Sequence, residues 1–487
     1  MTASYRPPRA AVQSKSCREG RPRSRGAGNQ RSPAIPTEVH DRVAERLERK
    51  VVRPGICVGC GACVALDRTG ASRMQRTPRG PQPLYAPGAD LPELAWEACP
   101  GKGIDYPRLY MDHYGRLPDS WLVGNILATR TGHAADPAIR AVGASGGVTT
   151  AVLIHLLESG RIEGAIVVRQ GVPEPLDASA VIATSRDEII AAAQSVYIPV
   201  SVLDILPRLE PGKRYAMTLV PEQAAALRRL QASGHPQAQQ IDYVLGPYTG
   251  TALYPAAIDN FLRSHGVKEG DPVTSLEWRA GEWPGYLEIR TKSGKVLRSK
   301  KVYYNFLIPF FVTRASLQSM DFANEFCDLS VGDAWSPKFE AEGGGHSVVV
   351  TRSAKMEGVI AEMVAAGQLA LEPEDNLKAT EMHGHMIDFK KRGGHIRNSW
   401  RRSWGRAAPD YGMRPEHVPA SRKAVELAIS GLFVVGGTGL ARGVLRMIPE
   451  KVIGPVFNKL RLSWKNLSKP TKRKGLADFK MIVDERE

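Results

Sequence analysis

The chain is poor in cysteine: six in 487 residues, four of them between positions 57 and 99. A disulfide-stapled scaffold needs more cysteines in a shorter chain. The thiols are therefore expected to stay reduced and available to metal, as in the cytoplasm. Long apolar runs are also missing. A membrane-spanning helix takes about 20 apolar residues. The most apolar window, 424–440, is shorter and is interrupted by Glu426 and by Gly436-Gly437-Thr438-Gly439. It predicts a surface-lying or protein-packed helix. The first residues carry no apolar run, so no secretory signal is expected. No G-x-G-x-x-G stands between a strand and a helix, and neither a Walker sequence nor H-E-x-x-H occurs. Those absences exclude a Rossmann-type NAD site, a P-loop and a zincin site.

Positive charge is scarce where a nucleic-acid groove would need it. Residues 51–389 carry 32 Lys and Arg against 37 Asp and Glu, which argues against a specific nucleic-acid partner. The excess sits at the ends: 12 against 5 over residues 1–50, and 22 against 8 over residues 390–487. Such ends either keep the chain solvated or touch an anionic surface. Arg442, Arg446, Lys451, Lys459 and Arg461 follow the apolar window and would suit anionic headgroups, so peripheral membrane contact through this extension is one expectation.

Four regions follow from composition and periodicity. Residues 1–36 read as a disordered basic arm, rich in Arg, Ser, Pro and Gly. Residues 37–118 are a loop-rich cysteine region. Residues 119–390 are α/β. Within them 163–169, 214–220 and 241–245 read as strands, and 146–159, 186–194 and 221–231 as helices, the last with Pro221 in its first turn. That alternation predicts parallel strands under helices. The stretch 270–390 is more mixed, with a hairpin over 286–300 turning on Lys292-Ser293-Gly294-Lys295 and a strand at 347–352. Residues 391–487 read as a basic extension. The fold class is therefore α/β: an N-terminal cysteine-rich, ferredoxin-like loop region followed by a helix-covered mixed sheet.

The chemistry-bearing signal is Cys57-Val58-Gly59-Cys60-Gly61-Ala62-Cys63. The C-x₂-C-x₂-C spacing resembles the bacterial ferredoxin run. A tight loop can send three thiolates to three corners of a cubane, and Gly59 and Gly61 allow the close approach this requires. A fourth ligand comes from farther away and often precedes proline, as Cys99 precedes Pro100. Cys57, Cys60, Cys63 and Cys99 are thus expected to hold a [4Fe–4S] cluster. The alternative is zinc, which usually takes two separated cysteine pairs.

The cysteine run is followed by Ala144-Ser145-Gly146-Gly147-Val148-Thr149, by Gln194-Ser195-Val196-Tyr197-Ile198-Pro199, and by Asp328-Leu329-Ser330-Val331-Gly332-Asp333-Ala334-Trp335. In that order they resemble the coenzyme F420 hydrogenase/dehydrogenase beta-subunit family over about residues 50–390. The resemblance implies an iron–sulfur flavoprotein oxidoreductase. It would pass electrons between a [4Fe–4S] cluster and FAD and exchange hydride with an organic partner: the deazaflavin F420, a pigment or a polysaccharide-related substrate. Ferredoxin or a redox partner subunit would stand on the electron side. Two departures stand out. The family commonly has cysteines where this chain has Glu222, Ser316 and Ser319, and these are poor cluster ligands beside thiolate. One cluster is expected to remain. Those losses also allow a second class of function, a non-catalytic partner subunit that kept one structural or sensing cluster.

Against this background Ser145, Gly146, Gly147 and Thr149 are candidates to meet a flavin phosphate. Glycines opening a helix let backbone N–H groups face an anion, and the helix dipole favours it. An ordinary helix cap fits the same residues, with Ser145 as the capping side chain. Gln194 and Tyr197 are candidates for a second wall against the isoalloxazine ring, although Tyr197 would serve equally as a core residue. His346, after Gly343-Gly344-Gly345, is expected to be exposed.

Overall fold

A computed structural model of the chain describes residues 42–300, 304–468 and 479–485. The basic arm 1–36 lies outside them.

The strands, in chain order, begin with a hairpin in the cysteine region, β1 (Arg73–Thr77) and β2 (Gly80–Leu84). Next come β3 (Ala128–Ala134), β4 (Gly164–Gln170), β5 (Ala178–Ala183), β6 (Tyr215–Thr218) and β7 (Ile241–Pro247). A second meander, β8 (Val273–Ala280), β9 (Tyr286–Thr291) and β10 (Val296–Lys300), precedes β11 (Leu329–Asp333), β12 (Ser347–Thr351) and β13 (Leu369–Pro373). The central sheet has eight strands in the order β13-β3-β12-β11-β7-β6-β4-β5. Its middle, β4-β6-β7-β11, is parallel, and antiparallel strands close both sides. The chain is α/β with a mixed sheet.

Alternation along the strands splits the core. Ile166, Met217 and Val244 point to one face, where Leu227 and Leu230 of the helix Pro221–Ala232 cover them. Ala165, Val167, Ala216 and Leu245 point to the other, against Val152 and Leu156 of Val148–Glu158 and Ile360 of Ala354–Ala365. This period-2 division is what a sheet buried on both faces demands. Truncating Leu227, fully buried, to alanine would cost about 2–5 kcal/mol. The cysteine region packs on the first face through Tyr106 and Tyr110, whose rings meet Phe326 at 5.0 and 4.9 Å. β3 was not predicted: Ala-Thr-Arg-Thr-Gly-His-Ala has little apolar alternation, and the strand is held by its neighbours β12 and β13.

Two helices are shorter than expected for a backbone reason. Residues 146–159 form a helix only over Val148–Glu158, because its N-cap, Gly147, is left-handed at φ 74°. The helix predicted over 186–194 stops at Ala191, and Gln194 itself takes φ 87°.

The boundary placed at 390/391 falls inside one 28-residue helix, Asn376–Ser403. Its basic residues are not a solvated face. Arg392 pairs with Asp388 at 2.7 Å, Arg397 with Glu426 at 2.6 Å, and Arg422 with both Asp388 and Glu426 at 2.9 Å. Lys391 pairs with Glu325, which also accepts from the Tyr110 hydroxyl. All these ions are buried, so each needs its partner to offset desolvation. The network ties the helix Ala420–Gly436 to the body. The strand Met413–Pro415 pairs antiparallel with Met481–Val483.

Candidate functional site

The four cysteines line one small cavity of about 20 Å³. Gly59 and Gly61 turn the loop at φ 71° and 88°. A Cβ on Gly59 would stand 2.7 Å from the Pro81 carbonyl oxygen, and one on Gly61 2.7 Å from the Asp204 nitrogen. Cys99 arrives because Gly101 lies flat on the loop: a Cβ there would meet the Ile56 carbonyl oxygen at 2.8 Å. Backbone N–H groups and one hydroxyl reach the sulfurs. The Gly59 N–H reaches Cys57 Sγ at 3.4 Å and the Tyr85 hydroxyl reaches Cys63 Sγ at 3.3 Å. Burial pushes the Cys63 thiol up to about 12, and Cys57, Cys60 and Cys99 are likewise raised by burial. Such thiols ionise only against a compensating cation, which is what a metal core supplies. Among the described residues, no three His, Cys, Asp or Glu side chains are grouped as the ligands of a single metal ion would be.

Beside this cavity lies a cleft of about 370 Å³. Ser145, Gly147, Thr149, Gln194 and Tyr197 all line it. Gly146 does not. It packs behind, its N–H donating to Ser347 Oγ at 3.0 Å. Ser145 does not cap the helix, since its hydroxyl meets that of Ser347 at 2.8 Å. Residues 143–147 match G-x-S-x-G letter for letter, yet this hydroxyl has serine rather than histidine as its partner. Tyr197 meets Trp278 edge-on at 5.7 Å. It is therefore both a cleft wall and a packed residue. Gln194 in the left-handed region is uncommon for a residue with a Cβ, and such strain collects at ligand sites. His346 is buried, not exposed: its ring stacks on Phe339 at 4.7 Å.

Two buried cations on the cleft wall were not predicted. Arg279, only 5 % exposed, donates from Nε to the Pro284 carbonyl at 3.1 Å and from Nη1 to Asp333 at 3.2 Å. Trp283 Nε1 holds the same carboxylate at 3.1 Å. Arg279 Nη2 is left without a partner. Lys390, 1 % exposed, donates to the Ser316 carbonyl at 3.0 Å, and burial pulls its ammonium down to about 8 while Glu222 works against that shift. Glu222, Ser316 and Lys390 share the cleft wall. Ser316 spends its hydroxyl on the Ala252 N–H and Thr313 Oγ1, at 2.9 and 2.8 Å. Ser319 is buried away from the cleft, facing the Asp321 carbonyl at 3.4 Å. No local pattern flags Arg279 or Lys390. Lysine inside a helix reads as surface until the fold buries it.

Cavity and cleft share a wall. Val58, between Cys57 and Gly59, lines both. The cleft-lining segment is bonded to the loop, Val202 and Leu203 donating to the Cys60 carbonyl at 3.3 and 2.9 Å.

Residues 129–207 match the description "Coenzyme F420 hydrogenase/dehydrogenase, beta subunit N-term", and 212–376 match the corresponding C terminus, together half of the chain. The chain is 22 % identical over 365 residues to a coenzyme F420-dependent sulfite reductase of Methanocaldococcus jannaschii, covering 70 % of this chain and 52 % of that protein. It is 25 % identical over 264 residues to the coenzyme F420 hydrogenase subunit beta of Methanothermobacter thermautotrophicus, covering 50 % of this chain and 83 % of that one. With an F(420)H(2) dehydrogenase subunit of Methanosarcina mazei it shares 22 % identity, over 71 % of this chain and 92 % of that one. The chain thus spans about half the length of the sulfite reductase. A chain of the F420-reducing [NiFe] hydrogenase complex from Methanosarcina barkeri is similar at TM-score 0.46 and 19 % identity, over 58 % of this chain and 95 % of that one.

Proposed function

The chain belongs to the coenzyme F420 hydrogenase/dehydrogenase beta-subunit family, and on that premise we propose that it is an oxidoreductase with one [4Fe–4S] cluster and one flavin. The observation that carries the proposal is Val58, a single residue lining both the thiol cavity and the cleft. Electrons would cross only that wall. The cleft's residues suit FAD: Ser145, Gly147 and Thr149 at the start of a helix for its phosphates, Gln194 and Tyr197 for its ring, and Arg279 Nη2 as an unused buried donor. Bound flavin would supply hydride exchange on one side and single-electron exchange on the other.

The protein's own part is positioning. Cys57, Cys60, Cys63 and Cys99 hold the cluster, and the Gly59 N–H and Tyr85 hydroxyl tune it by donating to sulfur. Asp333 holds Arg279 in place from below. Glu222 and Lys390 give the cleft a charged wall beside Ser316. The organic partner is F420 or another hydride acceptor that fits this wall, and the electron donor is ferredoxin or a partner subunit.

The test is anaerobic reconstitution with iron, sulfide and FAD, followed by dithionite reduction and reoxidation with F420 and a substrate panel. One cluster and one flavin per chain, with reoxidation by a panel member, is the expected result. A cluster without flavin binding would favour the non-catalytic subunit instead. A colourless protein holding stoichiometric zinc would overturn the assignment.

A further inference from the structure

We propose that the helical extension 420–463 is a docking face that seats the protein on an anionic lipid surface. Three helices build it: Ala420–Gly436, Gly439–Leu445 and Glu450–Ser468. No single helix among the described residues is long and apolar enough to cross a membrane. The first two helices meet at a 77° bend and reach that length and composition only as a pair.

Each helix presents apolar residues to solvent. Leu440 and Val444 fall at i and i+4 of the second helix, Leu440 being 82 % exposed, and Met447 is exposed in the turn that follows it. Val452, Val456 and Leu460 fall at i, i+4 and i+8, all exposed. The first helix exposes Leu427, Val434 and Val435. Large exposed apolar groups concentrated in so short a stretch mark an interaction surface rather than ordinary surface.

The outward faces are fixed, not frayed. The first helix is clamped by Arg422 and Glu426 to Asp388 and Arg397, and Gly436 packs so closely that a Cβ would stand 2.5 Å from the Pro309 carbonyl oxygen. The second is held by Arg442 Nε on the Phe310 carbonyl at 2.9 Å and by Leu445 in the core. The third is held by Glu450 on the Ser299 hydroxyl at 2.6 Å. Buried polar anchors on one side leave the apolar stripes nowhere to turn.

Charge selects the occupant. Residues 420–463 contain two acids, Glu426 and Glu450, and both are spent on those anchors. Lys423, Arg446, Lys451 and Lys459 are exposed around the stripes. Apolar stripes rimmed by cations, with no exposed acid in the segment, complement a bilayer interface carrying anionic headgroups. A protein partner of mixed surface charge would find nothing here to answer its own cations.

The test is flotation of the full chain with vesicles of phosphatidylcholine, with and without about one-third phosphatidylglycerol. Wild type should float with the anionic vesicles and largely stay behind with the neutral ones. Leu440→Asp with Val435→Asp, both exposed positions, should abolish flotation while the thermal unfolding midpoint stays unchanged. Lys451→Glu and Lys459→Glu should each weaken binding about fivefold at low salt. Failure of wild type to float with anionic vesicles, or flotation of the double Asp variant like wild type, overturns the proposal. So does a wild-type dimer that the Asp pair dissolves without any vesicle binding, which would make the face a contact between copies.

Discussion

Leu203 donates its backbone N–H to the Cys60 carbonyl at 2.9 Å, across 143 positions of sequence. The bond joins the segment that walls the cleft to the loop that carries three of the four thiols. Val202 donates to the same carbonyl at 3.3 Å, so backbone bonds hold the two halves of the proposed redox path together and a change in either loop is felt in the other.

Gly61 makes that coupling testable. It sits at φ 88° with Ser201 and Asp204 filling the space of any side chain. Gly61→Ala should destabilise the fold by about 1–3 kcal/mol in chemical denaturation. It should also lower the iron content after reconstitution, because the loop must move away from residues 201–204. An alanine variant with wild-type stability and iron content would contradict the close approach.

Cys99 is the distant member of the proposed ligand set. Cys99→Ser should fold and should lose most of the iron, sulfide and visible charge-transfer absorbance that wild type acquires anaerobically, since serine oxygen is a poor replacement for thiolate. Unchanged iron in the serine variant would remove Cys99 from the ligand set.

Arg279 is a buried ion whose partner stays behind. Arg279→Met leaves the half-buried Asp333 carboxylate with Trp283 Nε1 as its remaining side-chain donor and should cost about 1–3 kcal/mol. Arg279→Lys keeps the charge and gives up the guanidinium fork. It should stay folded and bind FAD at least tenfold more weakly by fluorescence titration. Equal FAD affinity in the lysine variant would place the phosphates or ring elsewhere.

Lys390 gives a pH signature. Its folded value of about 8 lies below the ordinary lysine value of 10.5. For a depressed cation the stability is present above the ordinary value and is lost as pH falls from there through 8, because folding then forces a buried charge. The difference corresponds to at most about 3 kcal/mol. From about pH 7 to about pH 10, denaturation midpoints should shift in favour of wild type over Lys390→Met by up to that amount. A difference that is flat with pH would mean the ammonium is solvated or firmly paired in the folded chain.

The amino-acid sequence by itself determined the features that depend on local rules. C-x₂-C-x₂-C with glycines between has few uses, and the strand–helix alternation over 163–245 sets parallel strands under helices because hydrophobic period and turn chemistry are local. The hairpin at 286–300 is legible for the same reason. Only the tertiary structure decided what is distant. β3 is a strand because β12 and β13 bond it, not because its residues prefer to be one. Cys99 meets the loop because Gly101 is flat against Ile56. Arg279 and Lys390 line the cleft because the fold buries them there, and no local pattern in the sequence marks that burial. The basic C-terminal stretch, uniform in sequence, is divided by folding into buried pairs that anchor the helices and exposed cations around apolar stripes. Charge can be counted from sequence, but its burial is fixed only when the helix Asn376–Ser403 meets its partners.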